Sequence, residues 1–554
     1  MTDESSTQGF PISTRIVTLS GPVGAGKSTL GRALAAHYGA MHIHTHELMQ
    51  ELADYRGIQL PAERRAMQDF GDALDKETNG QWVAQGVSRL IASSNRSTKL
   101  VIVDSVRHRS QIDALRSAYP GRFFHIHVHA PAKVLDWRYR QRGTGSGFAE
   151  LPSYSAVAQN KTEREVAQLH AEADVAIDTD RCTAADVEIR AAAALRLLSR
   201  RDVRLVDVII GSQYGSEGKG NIAYYLADEY QVLMRVGGPN AGHKVPTTPA
   251  YTHCLLPSGT LANSRATLLI GPGATLDLTQ LHKEIAECGV SIGRLFIDPQ
   301  AMIIEAADIA AEEVLVKGIG STGKGGGAAT ARRILGRHGG EPPVRLARDV
   351  AELQSWLRSA ADVLDAAFRS QHRVLLEGTQ GTGLSLFHGS YPYVTGRDTT
   401  TAGCLAEAGI SPSRVRRVIM VTRSYPIRVK SPDDSTSGYM SQELDWADIA
   451  DRSGVDVDEL LKVELGSRSH KLRRVGEFDW QLLRRSAELN GATDIALTFA
   501  DYLNVTNRAA RRYNQLDQAT THFIEEIEQV SGAPVTLIST RFDPRSVIDR
   551  RTWE

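Results

Sequence analysis

Residues 206–226 read VDVIIGSQYGSEGKGNIAYYL: a β-branched run, a glycine-rich turn, then a segment with helical spacing. The same order occurs near the start of the chain, at residues 15–35, RIVTLSGPVGAGKSTLGRALA. Strand, loop and helix in that order aim backbone N–H groups and a helix N-terminus at phosphate. Two such starts predict two nucleotide-binding α/β units. Between them, residues 185–204, ADVEIRAAAALRLLSRRDVR, read as a helix ending in a basic connector. The expected domains are 12–198 and 205–554, joined by a linker at 199–204.

Length and composition agree with that division. At ~150 residues per domain, a chain of 554 residues needs more than one core. Apolar residues make up 42% and charged residues 23%, ordinary for a soluble globular protein. The 64 Lys+Arg nearly cancel the 65 Asp+Glu, so the basic excess of a general nucleic-acid binder is missing and no nucleic-acid partner is expected. No apolar run approaches the ~18 residues of a membrane span. The opening MTDESSTQGFPI lacks an export signal, so a cytoplasmic location is expected. Cys182, Cys254, Cys288 and Cys404 form no C-x-x-C pair, which excludes a disulfide scaffold or zinc ribbon.

In the first unit, strands expected at 15–20, 41–45, 100–104 and 123–129 alternate with helices, the pattern of a parallel α/β sheet. Residues 21–28, GPVGAGKS, match G-x-x-x-x-G-K-[ST]. Gly21, Gly24 and Gly26 let the backbone wrap phosphate, Lys27 reaches the β and γ phosphates, Ser28 binds magnesium, and Thr29 continues the cradle. Asp104 ends an apolar strand where a magnesium-organising carboxylate belongs. Arg138, Arg140 and Arg142 in DWRYRQRG stand where a kinase lid would carry arginines onto the transferring phosphoryl group. Histidines at 42, 44 and 46, and at 125, 127 and 129, point each trio to one strand face. A metal site shared by both trios is not expected, because a kinase-type sheet separates these strands; His46 facing the acceptor pocket is the preferred functional role. With ADVAIDTD at 173–180, these pieces resemble the nucleoside-monophosphate and dephospho-coenzyme A kinases. That resemblance implies an ATP-dependent nucleotide kinase with Mg2+.

The second unit carries six motifs in order: GSQYGSEGKG (211–220), GGPNAGHK (237–244), IGSTGKGGGAATARR (319–333), LLEGTQGTG (375–383), HGSYPYVT (388–395) and LISTRFD (537–543). Together they resemble the adenylosuccinate synthetase family across 205–554. That family joins L-aspartate to C6 of IMP at the expense of GTP, which implies a 6-phosphoryl purine intermediate. The resemblance implies that Lys219, between Gly218 and Gly220, meets phosphate, that His243 stabilises the transferring phosphoryl group, and that the Gly242 carbonyl binds magnesium. It implies that Asn240 and Thr322 bind substrate, with Arg332 reaching its 5′-phosphate across a homodimer interface. Gln380 would contact the purine and Thr395 the nucleotide phosphate, while Arg473, Lys471 and Arg468 of GSRSHKLRR (466–474) would clamp the aspartate carboxylates.

Three departures bear on the substrate. The family loop reads G-D-E-G-K-G, and its Asp serves as base and magnesium ligand; here Ser216 stands. A serine is smaller and uncharged, leaving space for a 2-amino group, as in guanine. This serine also looks like that of viral synthetases acting on dGMP. Next, the family's guanine-reading L-T-K-x-D is LTFAD here, with Phe499 for lysine and Asp501 retained, and Arg541 stands where a glycine is usual. ATP or dATP is therefore expected as donor in place of GTP, with core packing the alternative for Phe499. Finally, Arg468 and Ser469 replace two threonines, and Lys471 replaces an arginine. The expected whole is a bifunctional enzyme, a kinase fused to a ligase with catalytic residues Ser216, Lys219, His243 and Gln380, acting on dGMP or GMP. Two alternatives remain at this point: an ordinary IMP- and GTP-using synthetase, and a silent purine sensor.

Overall fold

The structure is a computed structural model that describes residues 14–60, 64–94, 98–141, 153–199, 203–341, 343–432, 435–466 and 471–552. Contacts divide the chain into two compact units, one ending at Leu198 and the next starting at Ser199. Among the described residues no helix is long and apolar enough to cross a membrane.

The first unit is built on five parallel strands: β1 (Arg15–Ser20), β2 (Met41–His44), β3 (Leu100–Asp104), β4 (Phe123–His129) and β5 (Val175–Asp178), in spatial order β2-β3-β1-β4-β5. Successive side chains of the central strands enter two different cores, which is why these strands read as unbroken apolar runs. Val17, Leu19 and Ile102 pack against Leu30 and Leu34 of helix α1 (Lys27–Tyr38), whereas Ile16, Val101 and Val103 pack against Trp82, Val87 and Ile112. The four expected strands are present to within one residue. The fifth, β5, was not among them: at this sheet edge only Ile177 is fully buried, so the apolar signal is weak. The helix expected at the start of 185–204 runs over Ala184–Ala194, and beyond it Arg196 takes a left-handed φ of 53°. As expected, β3 and β1 stand between the two histidine strands.

The second unit holds a nine-stranded sheet. Its spatial order is Leu295–Ile297, Thr267–Ile270, Val232–Arg235, Val374–Glu377, Val206–Gly211, Val415–Arg423, Asp494–Thr498, Val535–Ser539 and Val547–Asp549. All neighbours pair in parallel except the last two strands. Core residues cover both faces, with Val208, Ile210 and Met420 on one side and Ile209, Ile419 and Val421 on the other. The glycine loops 211–220 and 378–389 leave the carboxyl ends of adjacent central strands, where open α/β sheets bind ligands.

Candidate functional site

In the second unit, loop 211–220 passes into a helix, Lys219–Leu226, whose N-cap Gly218 adopts φ 89°. This helix lies against the short strand His243–Val245. A Cβ on Gly220 would meet His243 Cβ at 2.9 Å and the Lys244 carbonyl at 3.0 Å, so glycine is what permits the approach. The resulting cleft is lined by Ser216, Asn240, Gly242, His243, Thr322, Gln380, Thr395 and Arg473, eight of the residues expected from sequence. An adjoining recess shares Asn240, Gln380 and Thr395 and adds Gly326, Gly327 and Arg333. None of the described residues lining the cleft is acidic, whereas Arg428 and Arg473 are cationic, a balance suited to anionic ligands.

His243 is buried, and its Nδ1 is hydrogen-bonded to Glu377, which also accepts from the Ser258 hydroxyl and, at 2.7 Å, from the Ser258 N–H. Burial, with Arg235 and Lys219 nearby, pushes His243 down to about 4. Against its own burial, the His243 imidazole and Arg235 hold Glu377 down at about 2. The carboxylate thus fixes the ring with a proton on Nδ1, leaving the buried Nε2 without a hydrogen-bond partner. Sequence reading missed Glu377; its one signal is an acid ending the apolar run 374–376.

Ser216 is exposed on the cleft wall with φ 60°. Its neighbour Glu217 is fully buried, accepts from the N–H groups of Gln213 (3.0 Å) and Gly215 (2.8 Å), and pairs with Lys219 Nζ at 2.5 Å. Lys219 is therefore buried behind the loop rather than on the cleft surface. Gln380 Nε2 donates to Thr395 Oγ1 at 2.8 Å. Arg473 reaches the cleft while pairing with buried Glu464 at 3.4 Å; Glu464 also holds Arg423 at 3.0 Å. Lys471 is not among the cleft residues, and its carbonyl accepts from the Gly466 N–H. Arg468 lies outside the described residues, as does Arg142 in the first unit.

The Arg332 guanidinium is buried against Asp308, at 2.7 and 3.0 Å, and donates to the Ile303 and Pro343 carbonyls, which engages four of its five N–H donors inside its own unit. The arginine lining the recess is the next one, Arg333.

Across Gly218 lies another cavity, lined by Asn221, Thr498, Phe499, Asp501, Arg508, Arg541 and Phe542 among others. Burial raises Asp501 to about 6, although Arg508 donates to its carboxylate at 3.0 Å. One face of the Phe499 ring is covered by the Arg423 guanidinium at 3.9 Å. Phe499 thus packs inward and lines the cavity at once, while Phe542 is 45% exposed at the rim.

In the first unit, β1 leads through residues 21–26 into α1, with Gly26 as a left-handed N-cap at φ 99°. A Cβ on Gly21 would lie 2.0 Å from the Val128 carbonyl. Lys27 Nζ donates to the Gly21 and Pro22 carbonyls at 2.6 and 3.0 Å. Asp104 is buried at the end of β3; despite that burial, His42, His44, Ser28 and Lys27 hold its carboxyl far below the usual range. Arg138 donates to the Thr179 hydroxyl (2.8 Å) and carbonyl (2.7 Å), and lines a cavity with Gly24, Gly26 and Thr29. Arg140 pairs with Asp136 on its own helix.

Residues 208–341 and 344–509 match the adenylosuccinate synthetase family, and residues 16–174 match the AAA domain family. The adenylosuccinate synthetase of Methanocaldococcus jannaschii is 37% identical over 354 residues, covering 62% of this chain and 96% of that protein. That of Pyrococcus horikoshii is 37% identical over 354 residues, covering 62% and 98%. Among solved structures, the cyanophage S-2L succinoaminodeoxyadenylate synthetase, bound to dGMP and to dATP as an energy donor, aligns with a TM-score of 0.53 and 28% identity, over 63% of this chain and 96% of its own. Fully ligated adenylosuccinate synthetase from Plasmodium falciparum aligns with a TM-score of 0.55 over 63% of this chain and 100% of its own; at 19% identity it shows the fold alone.

Proposed function

Since the chain belongs to the adenylosuccinate synthetase family of carbon–nitrogen ligases and carries a P-loop kinase-like unit ahead of the ligase, we propose that it is a bifunctional purine nucleotide enzyme. Its second unit joins L-aspartate to C6 of dGMP or GMP, with ATP or dATP as phosphoryl donor. Its first unit is an ATP-dependent nucleotide kinase, and the working form is a homodimer. The observation that carries the purine assignment is Ser216: an exposed hydroxyl on a cleft wall with no acidic residue among its described lining. A hydroxyl there accepts a hydrogen bond from an exocyclic amine and leaves room for it, where a carboxylate would claim a purine N1–H.

The chemistry follows from making a poor leaving group good. As the purine N1–H gives up its proton to solvent, O6 takes the γ-phosphoryl group and the nucleoside diphosphate leaves; the aspartate amine then attacks C6, phosphate departs with O6, and the new ammonium loses its proton to solvent. Charge building on the transferred group would be met by His243 once Nε2 takes up a proton, with Glu377 holding the Nδ1–H and stabilising the imidazolium. Asn240, Gln380, Thr322 and Thr395 would hold the nucleotide, and Arg473 with the 466–474 segment the aspartate carboxylates. Magnesium fits the oxygen donors present, the Gly242 carbonyl and Ser216 hydroxyl together with substrate phosphates. Adenine as the donor base is supported by the Asp501–Arg508 pair: a carboxylate engaged by arginine is a poorer reader of guanine's paired N–H donors.

The test is phosphate release by a Lys27→Ala protein with L-aspartate and magnesium, crossing IMP, GMP and dGMP with ATP and GTP, and with succinylated products weighed by mass spectrometry. Turnover with dGMP or GMP and ATP is the expected result. The higher identity to archaeal adenylosuccinate synthetases favours a second reading, IMP with GTP, and turnover on that pair alone would establish it in place of ours. Purine binding without turnover in any combination would mark a sensor.

A further inference from the structure

At the carboxyl edge of the first unit's sheet, β2 and β3 run side by side, with His44 in register with Asp104 and His42 with Ile102. Strand alternation puts His42 and His44 on one face. Register and alternation together bring two imidazoles and a carboxylate to one spot. His44 Nδ1 lies 3.1 Å and His42 Nε2 3.5 Å from the same oxygen, Asp104 Oδ2, and the three ligand atoms are all within 4.8 Å of one another. Nitrogen and oxygen ligands ~2.0–2.1 Å from one tetrahedral ion stand roughly 3.3 Å apart, so both separations suit a shared ion.

The polar atoms are poorly satisfied as they stand. The Asp104 side chain is completely buried, yet its Oδ2 makes no hydrogen bond of ordinary geometry, and neither does the buried His42 Nε2. Helix α1 closes one side, since a Cβ on Gly31 would sit 2.4 Å from His42 Nε2. Ser28 and Lys27 of the phosphate loop act on the same carboxylate. Oxygen donors and water suit magnesium, whereas paired imidazoles favour a borderline transition metal.

We propose that His42, His44 and Asp104 form a binding site for a divalent transition metal of the zinc–cobalt class beside the phosphate-binding loop. Three protein ligands leave a position open for a water or a phosphate oxygen, as in catalytic rather than structural zinc sites. The site is distinct in chemistry from a magnesium ion held by Ser28 and Asp104, and it depends on neither the kinase acceptor nor the ligase substrate.

The probe is Co2+, added to the full-length protein after chelator treatment, without nucleotide, and followed by its visible absorption band. A saturating band is expected that Zn2+ displaces and excess Mg2+ does not. His42→Ala and Asp104→Asn should each weaken the binding by at least the ~10–100-fold lost when even the outer partners of a metal site are changed. His129→Ala, on β4, should leave the band intact. Far-UV circular dichroism checks each variant's fold, and the milder His44→Gln decides the matter if either stronger variant unfolds. A band that survives His44→Gln unchanged in a folded protein, or that Mg2+ removes, overturns the proposal.

Discussion

Ser216 and the aspartate usual in its family differ by a full charge at a position on the wall of the cleft. Ser216→Asp is therefore expected to lower turnover with dGMP by at least about tenfold, ~1.4 kcal/mol of transition-state energy, and to raise turnover with IMP. Initial rates on the two monophosphates check this, and an unchanged ratio would remove Ser216 from substrate choice. Glu377 poses a different question, because it acts through His243. Glu377→Gln keeps the size and an oxygen for Nδ1–H, but it removes the charge that would stabilise a protonated ring. We expect kcat to fall by about 100-fold, within the ordinary range for general acid catalysis, with the KM for purine little altered. A rise in KM with kcat preserved would instead assign the pair to ground-state binding.

At the scale of elements, the packing of helix Lys219–Leu226 against strand His243–Val245 sets the catalytic geometry. Gly220→Ala forces a methyl group into His243 Cβ at 2.9 Å, so overpacking of ~1–3 kcal/mol is expected, together with a displaced imidazole. Ligase activity should drop far more than the small shift in thermal midpoint accounts for; wild-type activity in this variant would show that the helix has slack. How much was legible in the sequence follows the same division. The buried strands of both sheets announce themselves as apolar runs because both their faces are covered, and the glycine loops because phosphate-wrapping backbone needs conformations other residues resist. The edge strand β5 stayed hidden behind weak hydrophobicity. Glu377 and His243 meet across 134 residues with no spacing rule between them. Arg332 and Arg333 are adjacent letters, and only helix packing decides which one turns to Asp308 and which to the recess. The nearness of His42 and His44 to Asp104 likewise depends on strand order and register, which no local pattern encodes.

For the molecule as a whole, burial of neutral histidines couples stability to pH. In the first unit, burial lowers His125, and burial with the surrounding histidines pushes His127 down to about 3; in the second, His243 is down at about 4. In the unfolded chain each returns to about 6.5. Between those limits the unfolded state binds protons that the folded state refuses. The stability these neutral rings contribute is therefore complete above about pH 6.5 and is lost as pH falls towards 4 and then 3. His44 has the opposite sign: the Asp104 carboxylate 3.1 Å from its Nδ1 raises it, so its contribution is fully present below 6.5 and fades as pH rises through its folded value. At pH 5 it is charged in both states, so it adds nothing to the protons exchanged on unfolding there. Unfolding at pH 5 should thus take up roughly two protons from His127 and His243, with His125 adding in the same direction, readable as the dependence of denaturation midpoint on pH or by calorimetry in two buffers of different ionisation heat. His127→Gln keeps a side chain able to hydrogen-bond Ser20, which now sits 2.8 Å from His127 Nδ1, and removes one titrating group. That variant should flatten the acid limb by about one proton, whereas a midpoint independent of pH between 7 and 4.5 would mean that these rings are solvated and protonated in the folded protein. The same linkage bears on function, because the ring that burial keeps from protonation in the ligase cleft is His243, and an arriving phosphoryl group would supply the negative charge that lets it accept a proton.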